Sequence, residues 1–130
     1  MKRVLVVTLV VVCLFALGIA MASAVSMPEI DRANASGELF RIRGHCQSNC
    51  TLFLGLRNVC VERSATLLFH AGHDRQRNIN AGSTQRMLSA YNAKLRKYVL
   101  DNHYMDTLEF HTIPGSMIID RFGYRECPRQ

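Results

Sequence analysis

The sequence predicts a small layered α/β domain, and three observations predict it. Short β-prone runs recur at residues 38–43, 59–61 and 66–69, an apolar stretch separates the first two, and a helical apolar period runs from residue 83 to about 103. Strands interleaved with helical segments are the pattern of a sheet packed by helices. The chain of 130 residues is 48% hydrophobic and 20% charged, which excludes both a multi-domain protein and a disordered acidic tail.

Taken in order, Lys2 and Arg3 precede an uncharged run from Val4 to Pro28 that passes through Ala22-Ser23-Ala24. A cationic start, an apolar middle and small residues before the cut make a secretory signal peptide, residues 1–24, with cleavage expected after Ala24. An uncleaved membrane anchor is the rival, because about 20 apolar residues cross a bilayer. Residues 25–37 carry Pro28, Asn34, Ser36 and Gly37 with little periodicity and read as a flexible lead-in.

Glu38 to Arg43 puts Phe40 and Ile42 on one side and Arg41 and Arg43 on the other, a half-buried strand ending at Gly44. Ser48 to about Arg57 is apolar almost all round and reads as a short buried helix opened by Ser48 or Asn49, with a strand as the alternative. Val59-Cys60-Val61 and Thr66 to Phe69 are two strands split by Glu62-Arg63-Ser64. His70 to Asp74 leaves the second, and Arg75 to Gly82 reads as a loop. A long helix follows to about His103, capped by Ser83 or Thr84, with Met87, Leu88, Tyr91, Leu95, Tyr98 and Val99 on its apolar face. Tyr104 to Phe110 reads as a shorter helical piece. Thr112-Ile113-Pro114 signals a helix start, and Met117, Ile118 and Phe122 before Gly123 a closing helix with a glycine stop.

Without residues 1–24 the chain has 14 basic and 10 acidic residues, scattered without a run. Such a surface is solvated rather than built for nucleic acid, so no nucleic-acid partner is expected.

Setting aside Cys13 in the leader, four cysteines remain, Cys46, Cys50, Cys60 and Cys127, an even number for an oxidising compartment. Three connectivities are open. The favoured one joins Cys46 to Cys50 and Cys60 to Cys127, because the second bridge closes a long loop, worth about 4 kcal/mol. Cys-x3-Cys lacks the tight spacing of most zinc knuckles, and His70-x-x-His73-Asp74 lacks the helical HExxH arrangement, so no metal and no cofactor are expected. His45, His103 and His111 read as surface or partly buried groups.

The segment Gly44-His45-Cys46-Gln47-Ser48-Asn49-Cys50-Thr51, with Leu68-Phe69-His70 reached 22 residues after Ser48, resembles the active-site region of the Clp protease proteolytic subunit in the Clp/crotonase superfamily. It is closer still to exported, Clp-protease-like bacterial proteins. The resemblance implies a shortened Clp/crotonase-like layered fold over residues 38–127, in which Ser48 at a helix start is the nucleophile and His70 at a strand end its base. It implies an aspartate as third member, Asp106 in Met105-Asp106-Thr107, with Asp120 as fallback before Phe122-Gly123. It also implies a bacterial source, hence a periplasmic or secreted protein, or one anchored to the inner membrane if the leader stays. The chemistry is coherent on its own terms: a serine hydroxyl needs an imidazole to take its proton, and the imidazole needs an acceptor to fix its tautomer. A helix N-terminus at Ser48 would offer free N–H groups, that of Asn49 first, to a developing oxyanion. The plain alternative makes Ser48 a helix cap, His70 a strand-end histidine and Asp106 a surface acid.

One departure weighs against catalysis. The 23 residues between the expected cleavage point and Ser48 contain no Gly-Gly pair, whose backbone in the family supplies a second oxyanion donor. Two functions follow as expectations: a serine hydrolase acting on a peptide or ester, or a non-catalytic envelope protein that binds a partner or is structural. The missing unit also leaves the strand at 38–43 with an open edge. Self-association as a homo-oligomer would cover it; the other outcome is a marginally stable, degenerate member.

Overall fold

A computed structural model describes residues 27–130. The expected signal peptide lies outside the described residues. Among the described residues no helix is long and apolar enough to cross a membrane.

The architecture is mixed α/β. Helix α1 (Met27–Ser36) leads into strands β1 (Phe40–Ile42) and β2 (His45–Gln47), a 3₁₀ helix (Ser48–Gly55), and strands β3 (Val59–Val61) and β4 (Thr66–Phe69). Helices α2 (Ala81–Ala90) and α3 (Ala93–Asp101), strand β5 (His111–Pro114) and helix α4 (Gly115–Asp120) complete it. β1 and β2 are one course of chain bent at Gly44, whose φ of +60° suits glycine. β3 and β4 follow it in parallel, Phe40 opposite Val59 and His45 opposite Thr66, and β5 adds to β4 antiparallel, Thr66 opposite Pro114. The 3₁₀ helix is thus the crossover of a parallel unit, which explains its apolar faces: Thr51, Leu52 and Leu54 are buried against the sheets and α2. Ile42, Leu67, Phe69, Tyr91, Leu95, Val99, Ile113 and Ile118 fill the core.

β3 and β4 fall where the β-prone runs place them, and the apolar stretch after Gln47 is helical. Strand β2 lies beyond the Gly44 at which the sequence reading ends its first strand, and four further stretches depart from that reading. Residues 27–36, read as lead-in, form α1. Pro28 in a first turn gives up only an N–H that a helix does not use, and Gly37 at φ +68° ends the helix, donating its N–H to the Asn34 carbonyl at 3.3 Å. The residues taken as breakers are its boundaries. α1 is docked by Arg57, whose backbone N–H and guanidinium donate to Asn34 Oδ1 and O at 3.1 and 3.2 Å.

The long helix is two. Asn80, rather than Ser83 or Thr84, caps α2 by accepting from the Ser83 N–H at 2.8 Å, and Asn92 caps α3 by accepting from the Leu95 N–H at 3.0 Å. Arg96 satisfies carbonyls at the end of α2, donating to Leu88 O and Tyr91 O at 2.9 and 2.8 Å. Tyr104 to Phe110 is a series of turns, not a helix. Thr112 to Pro114 is edge strand β5, where proline is tolerated because one side of the strand makes no ladder bonds, and Pro114 then opens α4.

The disulfides are Cys46–Cys50 and Cys60–Cys127, the latter tying the C-terminal segment to β3. There Val61 N–H donates to Arg125 O at 2.8 Å and Cys127 N–H to Val61 O at 3.0 Å. Cross-linked cysteines fit a protein that matures in an oxidising compartment.

Candidate active site

Strand register builds the site. β2 and β4 are parallel neighbours with Gln47 opposite Leu68, so the residues that follow leave the same edge of the sheet: Ser48 one position past Gln47, His70 two past Leu68. The C-terminal edge of parallel strands is where side chains from different parts of a chain converge on solvent.

Ser48 begins the 3₁₀ helix with φ +56°, a left-handed backbone that costs a non-glycine residue about 1–2 kcal/mol. A serine on a strained strand-to-helix turn projects its hydroxyl away from the sheet. The turn is held by the Cys46–Cys50 disulfide, which spans it, and by Thr51 Oγ1, which donates to Ser48 O at 2.7 Å. Gln47 makes no side-chain cap, so the first N–H groups of the 3₁₀ helix, that of exposed Asn49 among them, are not claimed by it.

His70 is 4% exposed. Its Nδ1 donates to the carbonyl of Ala71, which can only accept; the proton is therefore on Nδ1, and Nε2 carries the lone pair. The ring stacks on His73 at 5.9 Å between centroids and meets Phe110 edge-on at 5.1 Å. Burial lowers its pKa below the ordinary histidine value, against the Ala71 hydrogen bond, with further lowering from His73 and Arg77. The ring is thus a neutral base at neutral pH.

The aspartates lie elsewhere. Ala71 N–H donates to Thr107 O at 2.8 Å, which brings the Asp106–Thr107 loop alongside, but the Asp106 carboxylate accepts from His103 Nδ1 at 2.8 Å. Asp120 is gripped by Arg63, at 2.8 and 3.1 Å, on the exposed face beside Glu126. The acceptor that orients His70 is accordingly the Ala71 carbonyl. A neutral carbonyl fixes the tautomer as a carboxylate does, but stabilises the imidazolium less. Among the described residues, Ser48 Oγ and His70 are not hydrogen-bonded to each other.

His73 Nδ1 donates to Asp74 O at 2.7 Å, and no group of three or more metal-ligating side chains occurs among the described residues. Sequence reasoning missed Tyr91 as more than a packing residue. Its hydroxyl lies 2.6 Å from Thr51 Oγ1, directly behind the Ser48 turn, and the only signal was the position of Thr51 in Cys-x-Ser-x-Cys-Thr. Comparison with known proteins found no matching family model, no matching curated protein and no matching solved structure.

Proposed function

We propose that this chain is an exported serine hydrolase with a shortened Clp/crotonase-like fold, cleaving a peptide or ester through an acyl-Ser48 intermediate. One observation carries the reading: a serine in left-handed backbone just past β2, beside strand β4, which is followed directly by a histidine whose Nε2 carries the lone pair. His70 Nε2 takes the Ser48 proton as Oγ attacks the substrate carbonyl, and the Asn49 N–H at the start of the 3₁₀ helix meets the oxyanion. His70 then returns the proton to the leaving group, and water releases the acyl group by the same steps. Having a carbonyl in place of a carboxylate behind His70 favours activated esters over amides as substrates. Export is supported by the leader composition and the two disulfides.

A fluorophosphonate probe applied to the oxidised protein is expected to label Ser48, read by mass spectrometry of the modified peptide, and to fail with Ser48→Ala and His70→Ala. An unlabelled wild type would leave the second reading, a non-catalytic partner-binding protein, which the Asp106–His103 pairing favours. Because only the neutral ring accepts a proton, the labelling rate is expected to rise with pH to a plateau, its midpoint below the unperturbed histidine pKa of about 6.5. A midpoint above that value would contradict the buried base.

A further inference from the structure

The Ser48 turn is tied to a buried pair of hydroxyls, and counting their hydrogens fixes the direction of each bond. Thr51 Oγ1 has one hydrogen, and its bond to Ser48 O, 2.7 Å long, uses it because a carbonyl only accepts. The 2.6 Å contact between Thr51 Oγ1 and Tyr91 Oη must therefore have Tyr91 as donor. The chain runs Tyr91 to Thr51 to the Ser48 carbonyl. Thr51 is fully buried and Tyr91 is 1% exposed, so a lost bond leaves a polar group that water cannot readily satisfy. Burial also raises the Tyr91 pKa well above the ordinary tyrosine range, keeping it a donor throughout the physiological pH range.

The Ser48 carbonyl shares its peptide unit with the Asn49 N–H. In a trans peptide the two point in opposite directions, and among the described residues there is no cis bond. Pulling the carbonyl inward toward Thr51 turns the Asn49 N–H outward, toward the open start of the 3₁₀ helix beside Ser48. We infer that Tyr91 is a positioning residue: through Thr51 it pins the Ser48–Asn49 peptide so that the Asn49 N–H faces a bound acyl group. The inference rests on the proposed nucleophilic role of Ser48. Tyr91 lies 43 residues from Ser48 along the chain, reached because α2 packs across the 3₁₀ helix.

The test compares Tyr91→Phe, Thr51→Val and Thr51→Ser. Phenylalanine keeps the edge-on packing of residue 91 against Phe69, at 5.3 Å, and valine keeps the shape of threonine, so both remove hydroxyls with little loss of volume. The expected result is a fall of about tenfold or more in the limiting rate of Ser48 acylation by an activated ester in the first two variants, with substrate binding little changed. Thr51→Ser keeps the relay and is expected to stay within about twofold of wild type. The carbon shift of the Ser48 carbonyl and the amide shift of Asn49, read by NMR, are expected to move in Tyr91→Phe and Thr51→Val but not in Thr51→Ser. Equal acylation in all three, or unmoved shifts, would overturn the positioning role. If wild type is not acylated, the hydrolase reading falls, and the shifts still decide whether the relay holds the peptide. Should Tyr91→Phe unfold, unchanged acylation and unmoved shifts in Thr51→Val would still overturn the inference, because Tyr91 reaches the Ser48–Asn49 peptide only through Thr51.

Discussion

Cys60→Ala with Cys127→Ala is expected to cost about 4 kcal/mol of stability, because the bridge closes a loop with a sequence separation of 67. Small domains hold roughly 5–15 kcal/mol in total, so the oxidised wild type and the double variant should differ by about 20 °C in melting temperature. Cys46–Cys50, with a separation of four, is worth only about 2 kcal/mol by the same relation. The two bridges therefore have different work. The long one fastens the C-terminal segment to β3, and the short one constrains the Ser48 turn. The segment's other ties include two backbone bonds at Val61, the Arg41 guanidinium donating to Pro128 O at 2.8 Å, the Arg125 guanidinium donating to Asn58 Oδ1 at 3.1 Å, and the exposed pairing of Arg63 with Glu126, and exposed ion pairs are weak. Denaturant unfolding of both oxidised proteins measures the difference. A loss below about 1 kcal/mol would mean that those ties hold the segment unaided.

Gly115→Ala is expected to be nearly as damaging, at about 3 kcal/mol or more. A Cβ at this position would lie 2.2 Å from the Glu62 carbonyl oxygen and 3.1 Å from that of Ala65, both backbone atoms of the turn joining β3 to β4. The close approach exists because Gly115 N–H donates to Ala65 O at 2.7 Å, carrying the β4–β5 pairing into α4. Backbone cannot swing aside as a flexible side chain does, so either the turn or α4 must move. Gly82→Ala is the control. Its nearest neighbour would be Asn80 Oδ1 at 3.4 Å, and in the first turn of α2 alanine is expected to be neutral or to stabilise by up to about 1 kcal/mol. Thermal melts of the two variants should move in opposite directions or differ by well over 10 °C. Similar melting points would show that the Glu62–Ala65 turn is pliable.

The elements legible in the sequence are those whose side chains meet one environment along a short run. Val59–Val61 and Thr66–Phe69 are apolar and β-prone because they pair on both sides, β3 with β1 and the C-terminal segment, β4 with β2 and β5. The run after Gln47 is apolar all round because the 3₁₀ helix is enclosed by sheet and helix. Elements set by distant contacts were hidden. Asn92 lies within an unbroken helical period, yet its side chain donates to Phe122 O at 2.8 Å and its N–H to Tyr124 Oη at 2.8 Å, contacts that stop one helix and start another. β5 exists because β4 offers it a partner; Thr112-Ile113-Pro114 by itself looks like a helix start.

The same division runs through the candidate site. Residue types, the even set of cysteines outside the leader and the alternation of strand and helix were determined by the sequence alone, since composition and short-range period depend only on neighbours along the chain. Tertiary structure decided which groups meet: that Ser48 and His70 leave one sheet edge, that the Ala71 carbonyl rather than Asp106 holds the imidazole, and that Tyr91 stands behind the Ser48 turn. Hydrogen bonds reach about 3 Å and are set by the packing of whole elements, so a spacing of residues along the chain carries no record of them.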